Sequence, residues 1–238
     1  MHVVVFGGGG QCARHFARLR GEHEVTSVVR DDKHNADLEK LGATPAILSL
    51  ETASAEDLAA LLKERKADAV LFAAGAGAGS TEERTRTVDY QGAVKVYEAC
   101  RLAGVKRFVM ISSVDVRDRS KPVPAHYTEA SRTMSDMAWG AIGMYLKAKY
   151  DAEKALHDTQ LDYTVIRPGR LMDEPAGGAK VGALQIEATS RELVAKACWE
   201  VLAQPGTAGL TLDVMDGEGD LSKEVARCAE QRTDAWTG

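Results

Sequence analysis

No stretch of this 238-residue chain approaches the ~20 consecutive apolar residues of a membrane span, so no membrane partner is expected. Its N-terminus reads as a strand rather than a charged segment leading into a short apolar one, which argues against a secretory leader. Cysteine is sparse and scattered: Cys12, Cys100, Cys198 and Cys228 form no CxxC pair and have no histidine pair nearby. That spacing speaks against disulfides and a Cys/His metal centre, and for reduced thiols in a cytoplasmic protein. No basic block interrupts a net charge of −5, so nothing in the chain is suited to neutralise a nucleic-acid backbone. Internal repeats, low-complexity tracts and linkers are also missing, so a single domain over residues 1–238 is expected. At 45% hydrophobic and 27% charged residues, the composition is that of a globular chain able to bury a sizeable core.

What is present is organised around residues 1–20. Val3, Val4, Val5 and Phe6 run into Gly7, Gly8, Gly9 and Gly10, and a helix-period segment over residues 12–19 follows at once. A short apolar run ended by glycines and then a helix is a buried parallel strand turning into its crossover helix. The spacing Gly7-x-x-Gly10-x-x-Ala13 is a variant of the dinucleotide fingerprint. Gly7 would turn tightly with φ > 0. Gly10 would let the backbone approach a pyrophosphate, and Ala13 would let helix and strand pack closely. Phosphates would sit at the helix N-terminus, against Gly7, Gly9, Gly10, Gln11 and Cys12. A plain flexible loop is the competing reading of four consecutive glycines.

Strand and helix signals then alternate. Residues 24–30, 43–50, 68–74, 106–112, 161–167 and 210–215 read as strands; 34–42, 54–65, 81–103, 145–158, 190–204 and 221–232 read as helices. Regular alternation implies a Rossmann-like, doubly wound α/β fold with right-handed crossovers and a small C-terminal, substrate-side portion. In the helix over 81–103, Tyr90, Ala93, Val94, Tyr97 and Cys100 are expected on the buried face, more as core than as site. The second strand ends in Arg30, where a carboxylate would bond a ribose 2′-hydroxyl and an arginine can pair with a 2′-phosphate. Arg30 points to NADP(H) over NAD(H), with Arg14 and Lys33 as helpers, although Asp31 or Asp32 could take the acidic role. After the fourth strand, Ala74 and Gly75 open a Gly75-Ala76-Gly77-Ala78-Gly79 loop expected to border the cofactor crevice.

The chemistry candidates follow strand five. Ser112 and Ser113 stand at its C-terminal end, the ligand edge of such a sheet. Tyr145 and Lys149 are four apart on one helix and share a face. An ammonium beside a phenol favours the phenolate and is expected to lower a pKa that is ordinarily ~10. The phenol could then pass a proton to a carbonyl oxygen oriented by a serine hydroxyl as hydride arrives. Tyr150 and Lys154 offer a second pair at the same spacing. Residues 114–143 look irregular and read as a lid carrying His126, Tyr127 and Trp139, with a small helix as the alternative. The Gly- and Pro-punctuated stretch 171–183 is expected to pass the substrate side.

Taken together, Ser112/Ser113, Tyr145-x-x-x-Lys149, the Gly7-x-x-Gly10-x-x-Ala13 loop and Arg167-Pro168-Gly169 resemble the atypical short-chain dehydrogenase/reductases. Within them the chain is most similar to the NAD(P)H-binding, NmrA-like and biliverdin/flavin-reductase-like branch. The resemblance runs over about residues 1–204, and Ala148, Lys149, Ala152, Glu153 and Leu156 match its AK-x-x-AE-x-x-L pattern. It implies that Ser113 orients the carbonyl, Tyr145 is the acid–base residue and Lys149 contacts the nicotinamide ribose. It also implies that Arg167, Pro168 and Gly169 lie along the nicotinamide half. The expected function is NADPH-dependent reduction of a small carbonyl or conjugated, flavin-like acceptor, with no metal. A redox-sensing NADP(H)-binding regulator and a non-redox isomerase or dehydratase are the alternatives. Too few residues follow Arg167 for a nucleotide-sugar lobe, which favours a small substrate. The helices over 81–103 and 145–158 could pair two copies, so a monomer or a homodimer is expected.

Overall fold

A computed structural model describes residues 1–77 and 79–238; Ala78, in the loop expected beside the cofactor, lies outside the described residues. Eight strands form one sheet in the order β3-β2-β1-β4-β5-β6-β10-β8. These are β1 (His2–Phe6), β2 (Glu24–Val29), β3 (Thr44–Ile47), β4 (Ala69–Phe72), β5 (Arg107–Ile111), β6 (Asp162–Pro168), β8 (Gly178–Gly182) and β10 (Leu210–Gly217). All neighbours pair in parallel except β8, which runs antiparallel to β10 at the sheet edge. A parallel ribbon of β7 (Arg170–Met172) and β9 (Ala188–Ser190) forms a second, two-stranded sheet. The stretch 171–183 is therefore mostly strand, not the open substrate-side loop its glycines suggested.

The period-two alternation of strands decides which residues meet which helix layer. In β1, Val3 and Val5 join a core with Phe16, Ala17, Leu193 and Cys198, while Val4 and Phe6 join one with Leu58, Leu62, Val96 and Leu156. On the first face, α1 (Gln11–Arg18) packs on α7 (Arg191–Ala203), with α8 (Leu221–Gln231) alongside. The Phe16 ring stacks on Trp199 at 4.0 Å, and the Trp199 indole donates to the Phe16 carbonyl at 2.9 Å. Each large apolar side chain fully buried in this way stabilises by about 1.5–3 kcal/mol. On the other face lie α3 (Ala55–Glu64), α5 (Gly92–Ala103) and α6 (Glu129–His157). Ser54 starts α3 with a reciprocal capping box: its side chain accepts from the Asp57 N–H, and the Asp57 carboxylate accepts from the Ser54 N–H.

Two helices differ from expectation. The run after β4 is not one α-helix: α4 (Glu82–Thr85) leads into a π-helical turn over Arg86–Gln91 before α5 begins. The widened turn changes the buried face. Val88, Asp89, Ala93, Val96 and Tyr97 are buried, whereas Val94 is exposed and Tyr90 only half-buried. The second difference is α6, which starts at Glu129, so half of the expected lid is helix. Its backbone breaks once, at Ile142 (φ −132°, ψ 28°), three residues before Tyr145.

Candidate functional site

In the order β3-β2-β1-β4 the chain reverses direction of travel across the sheet between β1 and β4, and a crevice opens at that switch point. Gly7 has φ +83°, and a Cβ there would sit 2.5 Å from the Ala74 Cα. A Cβ at Gly8 would lie 2.5 Å from the Ser27 Cβ, and one at Gly9 2.6 Å from the His34 ring. These glycines are close-approach points to three neighbouring elements rather than a loose loop. Gly10 caps α1 in an extended conformation with no side-chain cap, and no acidic residue stands in the first turn. The end is thus a bare, positively polarised set of N–H groups fit for a pyrophosphate. Burial pushes the Cys12 thiol up to about 11 despite opposition from Arg191, so at neutral pH it is an inert thiol. All four cysteines are free.

The crevice is bordered by Gly7, Gly10, Arg30, His34, Ala74 and Gly75, and its volume is about 260 Å³. Cationic groups gather at its β2 end. Arg30 and Lys33 are largely exposed, each touching Asp31 (3.5 and 3.3 Å). Arg14 donates to the Gly9 carbonyl at 3.2 Å and to the His34 Nδ1 at 2.8 Å. Because a guanidinium keeps its protons, Nδ1 is the acceptor in that contact. Asp31 accepts the Lys33 N–H and caps the short 3₁₀ turn Asp32–His34. Glu51 and Arg84, which composition and spacing did not single out, pair at 3.3 Å on the opposite rim.

The other candidates cluster beyond β4 and β5. The Lys149 ammonium is buried and lies 5.7 Å from the centre of the Tyr145 ring. It donates to the carbonyls of Ala74 (3.1 Å) and Ile111 (3.4 Å) and contacts Asp89 Oδ1 at 3.2 Å. The expected pair thus exists, next to the crevice wall at Ala74. Its electrostatics differ from expectation. Burial opposes the Lys149 charge, but Asp89, together with Tyr145 and Glu153, raises the lysine pKa overall. Burial also raises the Tyr145 phenol; Lys149 pulls the other way, and Asp89 adds to the rise. The phenol is therefore held above its ordinary value, not below it. The second pair does not form: Tyr150 is buried and stacks on Trp236 (5.7 Å), while Lys154 is exposed.

Several predicted site residues face inward instead. Ser112 is buried and its hydroxyl donates to Glu153, whereas Ser113 is half-exposed at the sheet edge. Arg167, placed by resemblance along the cofactor, is buried against Glu153 (Nη2–Oε2 2.6 Å, Nε–Oε2 3.1 Å) and donates to the Val116 carbonyl (2.7 Å). An arginine on a core strand meets a glutamate on the core face of α6 because neither charge can be buried alone. The Pro168 carbonyl accepts from the Val114 N–H (2.9 Å), and the Gly169 N–H donates to Thr189 Oγ1 (2.9 Å). A Cβ at Gly169 would strike the Glu187 carbonyl, so this glycine serves the approach to the segment before β9. Trp139 does not close over a substrate: its indole donates to Asp115 Oδ2 (3.0 Å), which also holds buried Arg117 and Ser135. Tyr127 is buried, and only His126 is exposed, near the Leu184 carbonyl at 3.1 Å. Asp89 and Glu153 were missed as site residues. The available signal for Asp89 was a carboxylate between Val88 and Ala93 on an otherwise apolar helix face.

Among the described residues, no group of three or more His, Cys, Asp or Glu could hold a metal, and no helix is long and apolar enough to cross a membrane. Residues 7–205 match a family described as NAD(P)H-binding. A UPF0659 protein from Schizosaccharomyces pombe is 40% identical over 229 residues, 94% of this chain and 93% of the relative. YhfK of Bacillus subtilis, named an uncharacterized sugar epimerase, is 32% identical over 233 residues, 95% of this chain and 100% of its own. A solved structure from Bacillus halodurans, named among NAD-dependent epimerase/dehydratases, superposes with a TM-score of 0.78 at 31% identity, covering 95% and 99% of the two chains. The anaerobilin reductase ChuY from Escherichia coli shares the fold (TM-score 0.71, 22% identity, 91% and 97% covered). With its glycine cradle at the switch point of a Rossmann-like sheet, the chain belongs to the NAD(P)H-binding family, of the atypical short-chain dehydrogenase/reductase type.

Proposed function

We propose that the protein is an NADPH-dependent reductase of a small carbonyl or conjugated, flavin-like acceptor. The observation that carries this reading is the Tyr145 phenol beside the buried Lys149 ammonium, itself bonded to the Ala74 carbonyl at the crevice wall. The glycine cradle with the N–H groups of Gln11 and Cys12 binds the pyrophosphate, and Ala74 and Gly75 border the ribose. Arg30, with Lys33, Arg14 and His34 beside it, receives a 2′-phosphate. When bound, the nicotinamide nucleotide supplies hydride. Ser113 Oγ donates to the acceptor oxygen and orients it, and Tyr145 Oη gives that oxygen a proton. Burial holds the Tyr145 phenol above its ordinary pKa, so it is protonated at neutral pH but a weaker acid than the lowered phenol that a neighbouring ammonium alone would give. The four free, scattered thiols support a cytoplasmic setting for this reductase, as a monomer or homodimer.

The names of YhfK and the Bacillus halodurans protein favour a second reading, a non-redox epimerase or dehydratase. Titration with NADPH and NADH, followed by nicotinamide fluorescence, comes first. Consumption of NADPH in proportion to a reduced acceptor then separates the two readings. In that assay Tyr145→Phe is expected to lower kcat by about 10²-fold or more while NADPH affinity holds. Undiminished turnover would remove Tyr145 from the chemistry.

A further inference from the structure

The first turn of α7 carries a charge in an unfavourable place. Arg191 is the first residue of that helix, directly after the Ser190 cap. A helix N-terminus favours an anion and disfavours a cation, so an arginine there needs a partner. Its guanidinium donates to Asp173 Oδ1 at 2.6 Å, and among the described residues that is the only acceptor it reaches. A guanidinium has N–H donors to spare beyond this one. The Arg191 side chain is 20% exposed and that of Asp173 77%, which makes this a rim pair that contributes little and is easily given up. Asp173 belongs to the turn between β7 and β8, whose Ala176 N–H donates to Glu192 Oε2 at 3.2 Å. The turn thus leans on two consecutive residues of α7.

The pair also faces the glycine cradle. α1 leaves the C-terminal edge of β1, and α7 returns to the start of the parallel strand β10, so both helices begin at the cofactor edge of the sheet and pack side by side. Burial is the main influence on the Cys12 thiol and the His15 ring of α1, yet both also feel this pair, Asp173 raising and Arg191 lowering their pKa values. Arg191 therefore stands within electrostatic reach of the first turn of α1, which has no acidic residue and is suited to an anion. Resting on the cofactor placement given above, and on no step of the reduction, we propose that Arg191 is a further ligand of the dinucleotide pyrophosphate, held by Asp173 and handed over when the cofactor binds. A pyrophosphate is the stronger acceptor, because its charged oxygens match the fork of a guanidinium, whereas Asp173 offers a mostly hydrated carboxylate. The exchange frees Asp173, so cofactor binding removes one of the two ties on the turn between β7 and β8.

The test is calorimetric titration of the intact protein with NADPH, NADH and 2′-AMP, which keeps the base, ribose and 2′-phosphate but has no pyrophosphate. Arg191→Ala is expected to weaken NADPH and NADH alike, by about 10–100-fold, through loss of a charge-assisted contact. Binding of 2′-AMP should hold. Asp173→Asn removes the competitor and is expected to tighten both dinucleotides by about 2–5-fold. That side chain is mostly exposed, so a gain in affinity cannot come from damage to the fold. Placed in Arg191→Ala, the same Asp173→Asn change should give no gain. Undiminished dinucleotide affinity in Arg191→Ala would overturn the proposal, as would an equal loss for 2′-AMP. Absence of a gain in Asp173→Asn alone also counts against it, and an equal gain in both backgrounds would reduce Asp173 to a repelling charge and refute the hand-over. If Arg191→Ala does not fold, or 2′-AMP binds too weakly to measure, the Asp173→Asn result decides. A wild type that binds neither dinucleotide sinks the cofactor placement itself, an outcome distinct from all of these. None of these readouts needs turnover, so failure to find an acceptor would count against the reductase reading and leave the binding result standing.

Discussion

The two halves of the molecule handle charge in opposite ways. On the β1–β4 side, cations stand in solvent: the side chains of Arg30 and Lys33 are 57% and 71% exposed and touch only Asp31 among acidic groups. Beyond β5, the charges are sealed in pairs. Arg117–Asp115, Lys149–Asp89 and Arg167–Glu153 have side chains at most 3% exposed. Exposed cations stabilise the fold little, through a screened interaction of about 0–1 kcal/mol, and remain free to meet a phosphate. Buried pairs are different. Their partners were desolvated during folding, so each one makes the other indispensable. The first half leaves its charges in solvent, and the second holds its own side chains in fixed positions.

That contrast is breakable. Glu153→Ala leaves Arg167 buried without a carboxylate, and we expect a loss of about 3–5 kcal/mol in urea unfolding. A loss below ~1 kcal/mol would mean the inner pairs are no different from surface ones. Gly7→Ala acts on the other half: with φ +83° and Ala74 against the new methyl, it should cost about 1–3 kcal/mol of strain. The same variant should bring NADPH binding below detection by nicotinamide fluorescence; wild-type affinity would show that the close approach is dispensable.

A pH series sharpens the comparison further. Burial pushes the Asp213 carboxyl up to about 7 from an ordinary 3.8, with Arg167 opposing. A folded-state pKa above the unfolded one means that the stability contributed by the bound proton is complete below the unfolded pKa. It is lost as pH rises toward about 7. Asp213→Asn cannot ionise, so its Tm relative to wild type should rise between pH 4 and pH 8; a pH-independent difference would refute this. The smallest effect belongs to Arg30→Ala. Stability should stay within about 0.5 kcal/mol, while the preference for NADPH over NADH drops about tenfold, worth ~1.4 kcal/mol. An unchanged preference would hand cofactor discrimination to Arg14, Lys33 or His34.

The legible part of this molecule is the part governed by local backbone. Four glycines after a β-branched run, Ser54 with Asp57, and Ser190 ahead of α7 act on neighbours a few residues away. Their structural consequences could be read directly. Tyr145 and Lys149 were legible for the same reason, since four residues on a helix are always neighbours. Ser112, Arg167, Tyr127 and Trp139 were not, because polarity alone does not say whether a side chain turns toward a crevice or toward a buried partner. The π-turn at Arg86–Gln91 was also hidden: nothing in 81–103 breaks helical spacing, and α6 packs closely on that turn. The edge strand β8 was concealed by glycines that, at Gly178, permit close backbone approach to Gly217 and Glu218.

The amino-acid sequence by itself determined the parallel Rossmann-like sheet, the cradle at α1 and the placing of a phenol beside an ammonium, since strand period, helix period and glycine conformation are short-range properties. Only the tertiary structure decided that Asp89 would sit between Lys149 and the β4 loop, and that Arg167 would be consumed by Glu153. Those outcomes depend on which buried charges meet across elements many residues apart. A charge removed from water takes whatever partner the packing brings within reach.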